Sequence, residues 1–325
     1  MNGWAPLPRR AAAALLLGAA ARPARAETYP ARPIRLIVAF GPGSGSDVRA
    51  RLYADRLAAA WGQPVVVDNR GGGSGILAAE AVARARPDGY TLLFTSNTTH
   101  AANPVLFRRL PYDPVADFAP VALIGRTPLV VVVSNDLPVR DMAGLIAHAR
   151  AHPGALNYAS GNTSSHLAAE MVKAGTGVSM TYVSYRSNAQ AILDVIAGAA
   201  QVMFSDAVVA LPQIRQGRVR ALAVTVDAAV PALPGVPTVA GAAGLPGYAV
   251  ASWSAIFAPA GTPAEIVARL NAEVIAIGRE PGLRARMTEE GTIPSELPPE
   301  GVAGFVAQEV ERWREAARQA GIEPQ

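Results

Sequence analysis

Cysteine is absent from the 325 residues. That excludes disulfides, zinc–thiolate and iron–sulfur sites, and cysteine nucleophiles. Lysine is nearly absent, with Lys173 alone among 29 Lys and Arg residues. Ala174 follows it, so no phosphate loop ending in Gly-Lys-Ser/Thr exists. Histidine occurs four times, at 100, 148, 152 and 166. His148 and His152 share a helix face, but no acidic residue beside them completes a metal set, and we expect no metal or cofactor. Beyond residue 26 no run reaches the roughly 18 consecutive apolar residues that span a bilayer.

The chain is half apolar and 17% charged. Such a balance belongs to a globular protein, and the length suits two domains. The net charge of +4 is carried by Arg9, Arg10, Arg22 and Arg25, so the remaining chain is neutral and nucleic acid is not an expected partner. Those arginines belong to a segment with a basic start, an apolar run from Ala11 to Ala21 and the small-x-small triplet Ala24-Arg25-Ala26. This order predicts a secretory signal over residues 1–26, cleaved after Ala26, and a periplasmic product if the source is Gram-negative.

After residue 30 strands and helices alternate. Ile34–Phe40, Val65–Asp68 and Thr91–Thr95 read as strands, separated by helices at Asp47–Trp61 and Ile76–Ala85. Asn103–Pro120 is proline-punctuated and reads as irregular. Val121–Ile124 and Leu129–Ser134 read as two further strands. The alternation then restarts through helices Asp141–His152, Ser165–Gly175, Ala189–Gly198 and Ala207–Gln216. Strands are expected at Asn157–Ala159, Met180–Ser184, Val202–Phe204 and Ala221–Val226. Pro231–Gly247 reads as a loop and Ser252–Phe257 as a last strand, before three helices near Pro263–Arg279, Gly282–Glu290 and Pro298–Ala320. Two successive α/β units predict two lobes, each a mostly parallel sheet flanked by helices. The lobes are expected at 27–126 plus 250–325 and at 127–249.

Motifs for catalysis fail. Gly41-Pro42-Gly43-Ser44-Gly45 lacks the third glycine of a dinucleotide loop, and no serine sits in Gly-x-Ser-x-Gly. Ser165-His166 leaves open an exported serine hydrolase. Three small-residue loops carry the alternative: Gly41–Asp47, Ser96–Asn103 and Ser160–His166. Each follows a strand and leads into a helix or turn. Ligands of open α/β sheets bind at the carboxyl ends of strands, where helix N-termini offer unpaired N–H groups. Gly and Ser let a carboxylate approach that backbone.

Several longer stretches resemble one family. They are Tyr29–Val38, Trp61–Arg70, Pro87–Tyr90, Leu110–Val121, Leu156–Ser160, Thr163–Glu170, Arg220–Thr225, Gly244–Tyr248 and Ala258–Pro263. Together they resemble the periplasmic solute receptors of tripartite tricarboxylate transporters, the Bug receptors. The resemblance implies a two-lobed, non-catalytic Venus flytrap that holds a di- or tricarboxylate, an acidic amino acid or an aromatic acid. It also implies a monomer that hands its ligand to a two-subunit membrane permease or to a sensor. Carried onto this chain, the carboxylate grip falls on Phe40, Gly41, Gly43, Ser44, Gly45 and Asp47, and on Ser160, Gly161, Asn162, Thr163, Ser164, Ser165 and His166. Ser96, Thr98 and Asn103 line the same cleft. Tyr185, Arg186, Ser205 and Asp206 stand where the far end of a ligand is read. Arg186 either pairs a distal carboxylate or is a surface residue. Asp206 either binds an ammonium group or caps the following helix. Gly41, Ser44 and Gly71 depart from the family's usual Pro, Gly and Pro.

Overall fold

A computed structural model describes residues 29–319 and 321–324. The signal expected over residues 1–26 lies outside the described residues.

The first α/β unit runs β1 (Ile34–Val38), α1 (Gly45–Trp61), β2 (Val65–Asn69), α2 (Ile76–Ala83) and β3 (Thr91–Ser96). A π-helical turn, Thr98–Ala102, and the short α3 (Asn103–Leu106) follow. β4 (Phe118–Ser134) is one long strand. The second unit runs α4 (Met142–Ala151), β5 (Asn157–Ser160), α5 (Thr163–Thr176), β6 (Thr181–Ser184), α6 (Asn188–Ile196), β7 (Val202–Asp206), α7 (Ala207–Arg215) and β8 (Val219–Val224). The chain closes with α8 (Val239–Ala242), β9 (Ala251–Pro259), α9 (Ala264–Arg279), α10 (Pro281–Glu289), β10 (Ile293–Pro294) and α11 (Pro299–Gln319).

Strands β2, β1 and β3 are parallel neighbours, and so are β6, β5 and β7. Each trio ends on an antiparallel partner. β3 pairs with β9, and β7 pairs with β4. β4 itself pairs with β9 from Phe118 to Pro128, then with β7 and β8 from Leu129 onward. β4, with β9 running antiparallel beside it, therefore crosses between the two trios. The antiparallel crossing strands make the whole sheet mixed, while the core of each lobe keeps the expected parallel order.

β4 corrects the sequence reading of two strands. Gly125-Arg126-Thr127-Pro128 looks like a break because glycine and proline punctuate strands. Pairing with β9 on one side and β10 on the other carries the strand through it. Gly125 is needed there, since a Cβ would meet Ile293 O at 2.7 Å. The loop expected over Pro231–Gly247 contains the short α8, capped by Thr238.

Alternation builds the cores. Along β4, Val131 and Val133 enter one cluster, while Val130 and Val132 enter the cluster on the opposite face. Along β1, Ile34, Leu36 and Val38 face α1 and α9, while Ile37 faces the α2 and α11 side. Such period-2 sorting places two apolar layers on each sheet. The strands are thereby fixed, and their carboxyl ends present loops toward the space between the lobes.

Candidate functional site

A cavity of about 440 Å³ lies where these loops meet. The β1–α1 loop contributes Phe40, Gly43, Ser44, Gly45 and Ser46, and the β3 end contributes Ser96, Asn97 and Thr98. The second unit contributes Asn162, Ser164, Asp206 and Val208. Thr127 and Ser252–Ser254 come from the crossing strands. α1 and α10 complete one wall.

The β1–α1 loop is built around Asp47, which is buried. Its Oδ2 accepts from Gly43 N–H at 2.9 Å and its Oδ1 from Asn69 Nδ2 at 2.9 Å. Arg51 pairs with it at 3.0 Å. Burial opposes the charged form, but the bonds from Gly43, Arg51 and Asn69 outweigh it and hold the carboxyl below its usual range. Ser44 caps α1, its Oγ accepting from Asp47 N–H at 3.1 Å. Asp47 thus shapes the loop from behind and does not line the cavity. Gly41 lies outside the lining as well. It abuts Gly71, whose Cβ would meet Gly41 N at 2.8 Å.

The β3 loop divides in the same way. Ser96 and Thr98 line the cavity, as expected. Asn103 is buried elsewhere, donating to Ser74 O at 3.0 Å and Tyr112 Oη at 3.1 Å. Behind the π-turn, His100 is fully buried and stacked on Phe257 with ring centroids 3.8 Å apart. Burial alone pulls its pKa down to about 3. Its Nδ1 meets Thr99 Oγ1 at 2.8 Å.

In the β5–α5 loop, Asn162 and Ser164 reach the cavity and the others do not. Asn162 caps α5 through Oδ1, which accepts from Ser165 N–H at 2.8 Å. Ser160 Oγ donates to Asn162 O at 2.8 Å. Gly161 is pressed against the next loop, where a Cβ would lie 2.0 Å from Ser187 C. Thr163 opens α5 away from the lining. Ser165 is fully buried and its Oγ donates to Phe204 O. His166 Nδ1 meets Tyr158 Oη at 2.8 Å, and its ring stacks on Tyr182. Burial lowers the His166 pKa, with Glu170 opposing. The nucleophile–base hydrogen bond that a Ser165/His166 hydrolase needs is not formed.

Tyr185 donates to Asp194 Oδ2 at 2.6 Å, Arg186 is exposed, and neither lines the cavity. Ser205 is buried with its Oγ turned to the Asp206 carbonyl at 3.3 Å. Asp206 does face the cavity, but its carboxylate is already occupied. Ser252 Oγ donates to Oδ1 at 2.8 Å, and Asn162 and Asn188 donate to Oδ2 at 2.7 and 2.8 Å. Burial pushes its pKa up, and these three donors oppose the shift. It makes no side-chain cap of α7.

Sequence reasoning missed several wall residues. Arg49 and Tyr53 come from α1, and Leu283, Arg286 and Met287 from α10. The only signal for Arg49 was its place one helical turn after Gly45. Asn97, inside the Ser96–Asn103 loop, also lines the cavity. Its Nδ2 donates to Ser164 Oγ at 2.8 Å, joining the two loops across the cleft. Ser254 Oγ on β9 is buried beside the cavity with no hydrogen-bond partner among the described residues. Hydroxyls, amides and two helix N-termini around a mostly apolar cleft suit a small anion with a carbon body.

Comparison with known proteins agrees with this chemistry. A model described as "Tripartite tricarboxylate transporter family receptor" matches residues 49–322. Protein BugT of Bordetella pertussis is 34% identical over 304 residues, covering 93% of each chain. Among solved structures, R. palustris Rpa4515 with adipate is 38% identical with a TM-score of 0.83, covering 91% of this chain and all of that one. MatC from Rhodopseudomonas palustris with bound malate is 33% identical with a TM-score of 0.78, covering 89% and 99%.

Proposed function

The chain belongs to the tripartite tricarboxylate transporter receptor family, and from that premise we propose that it is an extracytoplasmic receptor for a small carboxylate held between its two lobes. The observation that carries this reading is the cavity between the strand ends, with Ser254 Oγ buried and unpartnered at its wall. The relatives with bound adipate and malate support a carboxylate as the ligand class. We assign residues 27–126 plus 250–325 to the first lobe and 127–249 to the second. The ligand docks on the first lobe, at the Phe40–Ser46 loop and Ser96–Thr98. The second lobe closes by bending at the crossing strands, bringing Asn162 and Ser164 to the anion. Closure removes water and strengthens each charge-assisted hydrogen bond. The ligand favours the closed form only by its differential affinity for it.

Delivery is to a two-subunit membrane permease or to a sensor, by a monomeric receptor in the periplasm. A segment with the order of a secretory signal precedes residue 27, and among the described residues no helix is long and apolar enough to cross a membrane. The test is a thermal-shift screen of residues 27–325 against di- and tricarboxylates, acidic amino acids and aromatic acids. A ligand at a hundredfold excess over Kd adds about 2.7 kcal/mol to stability. The expected result is a melting shift of a few degrees with one chemical class and no chemical change in the ligand. No shift with any carboxylate, or turnover of one, overturns the reading.

A further inference from the structure

We infer that Ser252 is a ligand-binding residue gated by Asp206: the cleft takes up a proton from solvent together with its carboxylate, and that proton is held between Asp206 Oδ1 and Ser252 Oγ. This rests on the receptor reading above and adds to it a proton that no part of that reading requires.

The hydrogen bonds of Asp206 fix where a proton can go. Asn162 and Asn188 donate through Nδ2 to its Oδ2 at 2.7 and 2.8 Å. Neither amide is free to turn over, because each Oδ1 already accepts a backbone N–H at 2.8 Å, from Ser165 for Asn162 and from Gly161 for Asn188. Oδ2 therefore meets two donors, and a proton placed there would oppose both. Oδ1 meets the Ser252 hydroxyl at 2.8 Å. A hydroxyl donates and accepts, and it rotates to suit its partners. Once Oδ1 is protonated it donates to Ser252 Oγ, and the Ser252 hydrogen is released to another acceptor.

The cavity is where that acceptor sits. Ser252 and Ser254 both line it, two residues apart on one face of β9, which sets them about 7 Å from each other along the strand. Ser254 Oγ is buried there without a hydrogen-bond partner among the described residues. A carboxylate seated between the two hydroxyls takes a bond from each only when Asp206 has released Ser252. With Asp206 ionised the Ser252 hydrogen is spent, and two carboxylates share a buried space, which disfavours both charges. One proton on Oδ1 removes both penalties.

The surroundings of Asp206 set the balance. Burial disfavours its ionised form, while its three donors and the Arg49 guanidinium favour it. Arg49 comes from α1 and also faces Glu290 at 3.8 Å, with Arg286 beyond. The contacts from α6, β9 and the β5–α5 loop are the neutral Asn188, Ser252 and Asn162, and β4 brings Leu129 opposite. His166 of α5 is engaged by Tyr158 and Tyr182. An arriving anion adds like charge and raises the Asp206 pKa further. The bound form then holds more protons than the free form, so affinity rises as pH falls.

The experiment is calorimetric titration of residues 27–325 with adipate, malate, glutamate and benzoate. It is run in HEPES and in Tris, whose ionisation heats differ, so that the difference in binding heat reads the protons taken up. Wild-type protein is expected to take up as much as about one proton per bound anion. It is also expected to bind about tenfold more tightly near pH 6 than near pH 8, the worth of one charge-assisted hydrogen bond. Asp206→Asn imitates the protonated acid, with its amide oxygen toward Asn162 and Asn188 and its Nδ2 toward Ser252. That variant is expected to bind without proton uptake and with a flat pH profile. Ser252→Ala is expected to lose more affinity near pH 6 than near pH 8. Binding heats that do not depend on buffer overturn the proposal. So does a pH slope that Asp206→Asn retains, which traces the slope to the acids themselves or to His166. A gain at low pH that survives Ser252→Ala overturns the gating. In each of these cases binding persists and the receptor reading stands. Should Asp206→Asn not fold, the buffer pair and Ser252→Ala decide the matter. Failure of the wild-type protein to bind any of these acids or any acid of the wider screen overturns the receptor reading itself.

Discussion

The loops after β1 and β5 have similar sequences and different duties. Both are rich in Gly and Ser, both follow a buried strand, and both open a helix. The first gives Phe40 and Gly43–Ser46 to the cavity and keeps one side chain, Asp47, behind it as a brace. The second gives only Asn162 and Ser164. Its other polar groups are consumed internally: Ser160 on Asn162 O, Ser165 on Phe204 O, His166 on Tyr158. A donor already bonded inside the protein has little left for a ligand. Donor density in a sequence therefore overstates a site wherever a loop must also fasten itself to its neighbours.

The sharpest way to break this comparison is at the two fastenings. Gly161→Ala is expected to lower stability by about 3 kcal/mol or more, because its Cβ meets the Ser187 backbone rather than a movable side chain. Denaturant melts check this, and a near-neutral result shows that the β5–α5 loop is not pinned. Asp47→Ala is expected to cost about 1–2 kcal/mol, since it removes the acceptor of Gly43 N–H and one of the two acceptors of Asn69 Nδ2. It should also weaken ligand binding, whereas Gly161→Ala should act first on stability.

The buried histidine behind the π-helical turn gives the next effect. His100 titrates near 3 in the fold because burial disfavours its cation. The unfolded imidazole takes up a proton near pH 6.5. Stability from this group is complete above that value and is lost at about 1.4 kcal/mol per pH unit as pH falls toward 3. Between pH 7 and pH 5 the expected loss is about 2 kcal/mol. Equilibrium melts of wild type and His100→Asn measure it, and an equal pH slope in the two removes His100 as the source.

Within the β5–α5 loop, neighbouring serines should part company. Ser164→Ala is expected to weaken carboxylate binding about tenfold and to cost about 1 kcal/mol of stability, since Asn97 Nδ2 loses its acceptor, while Ser165→Ala lowers stability by about 1–2 kcal/mol and leaves affinity nearly intact. Titration and melting of both variants test this, and the reverse pattern sinks the division of labour. The smallest effect belongs to Arg186→Ala. An exposed side chain outside the cavity should change neither affinity nor stability by more than about 0.5 kcal/mol.

The sequence by itself determined the alternation of elements, the three loops, and the family. Apolar periodicity and turn residues are local, so β1, α1, β5 and α5 were legible within a few residues. Motifs spread over the chain were legible for the same reason. Only the tertiary structure decided which residues of each loop face the cleft. Asn103, Ser165 and His166 turn away because buried polar groups must find partners, which for Asn103 and Ser165 include Ser74 and Phe204, 29 and 39 residues away. Arg49, Tyr53, Arg286 and Met287 turn in because α1 and α10 both pack on α9 and so flank the cleft together. Continuity of β4 through Gly125 and Pro128 also depends on β9 and β10, which lie more than a hundred residues away. Cleft identity is a property of that packing, which no window of sequence contains.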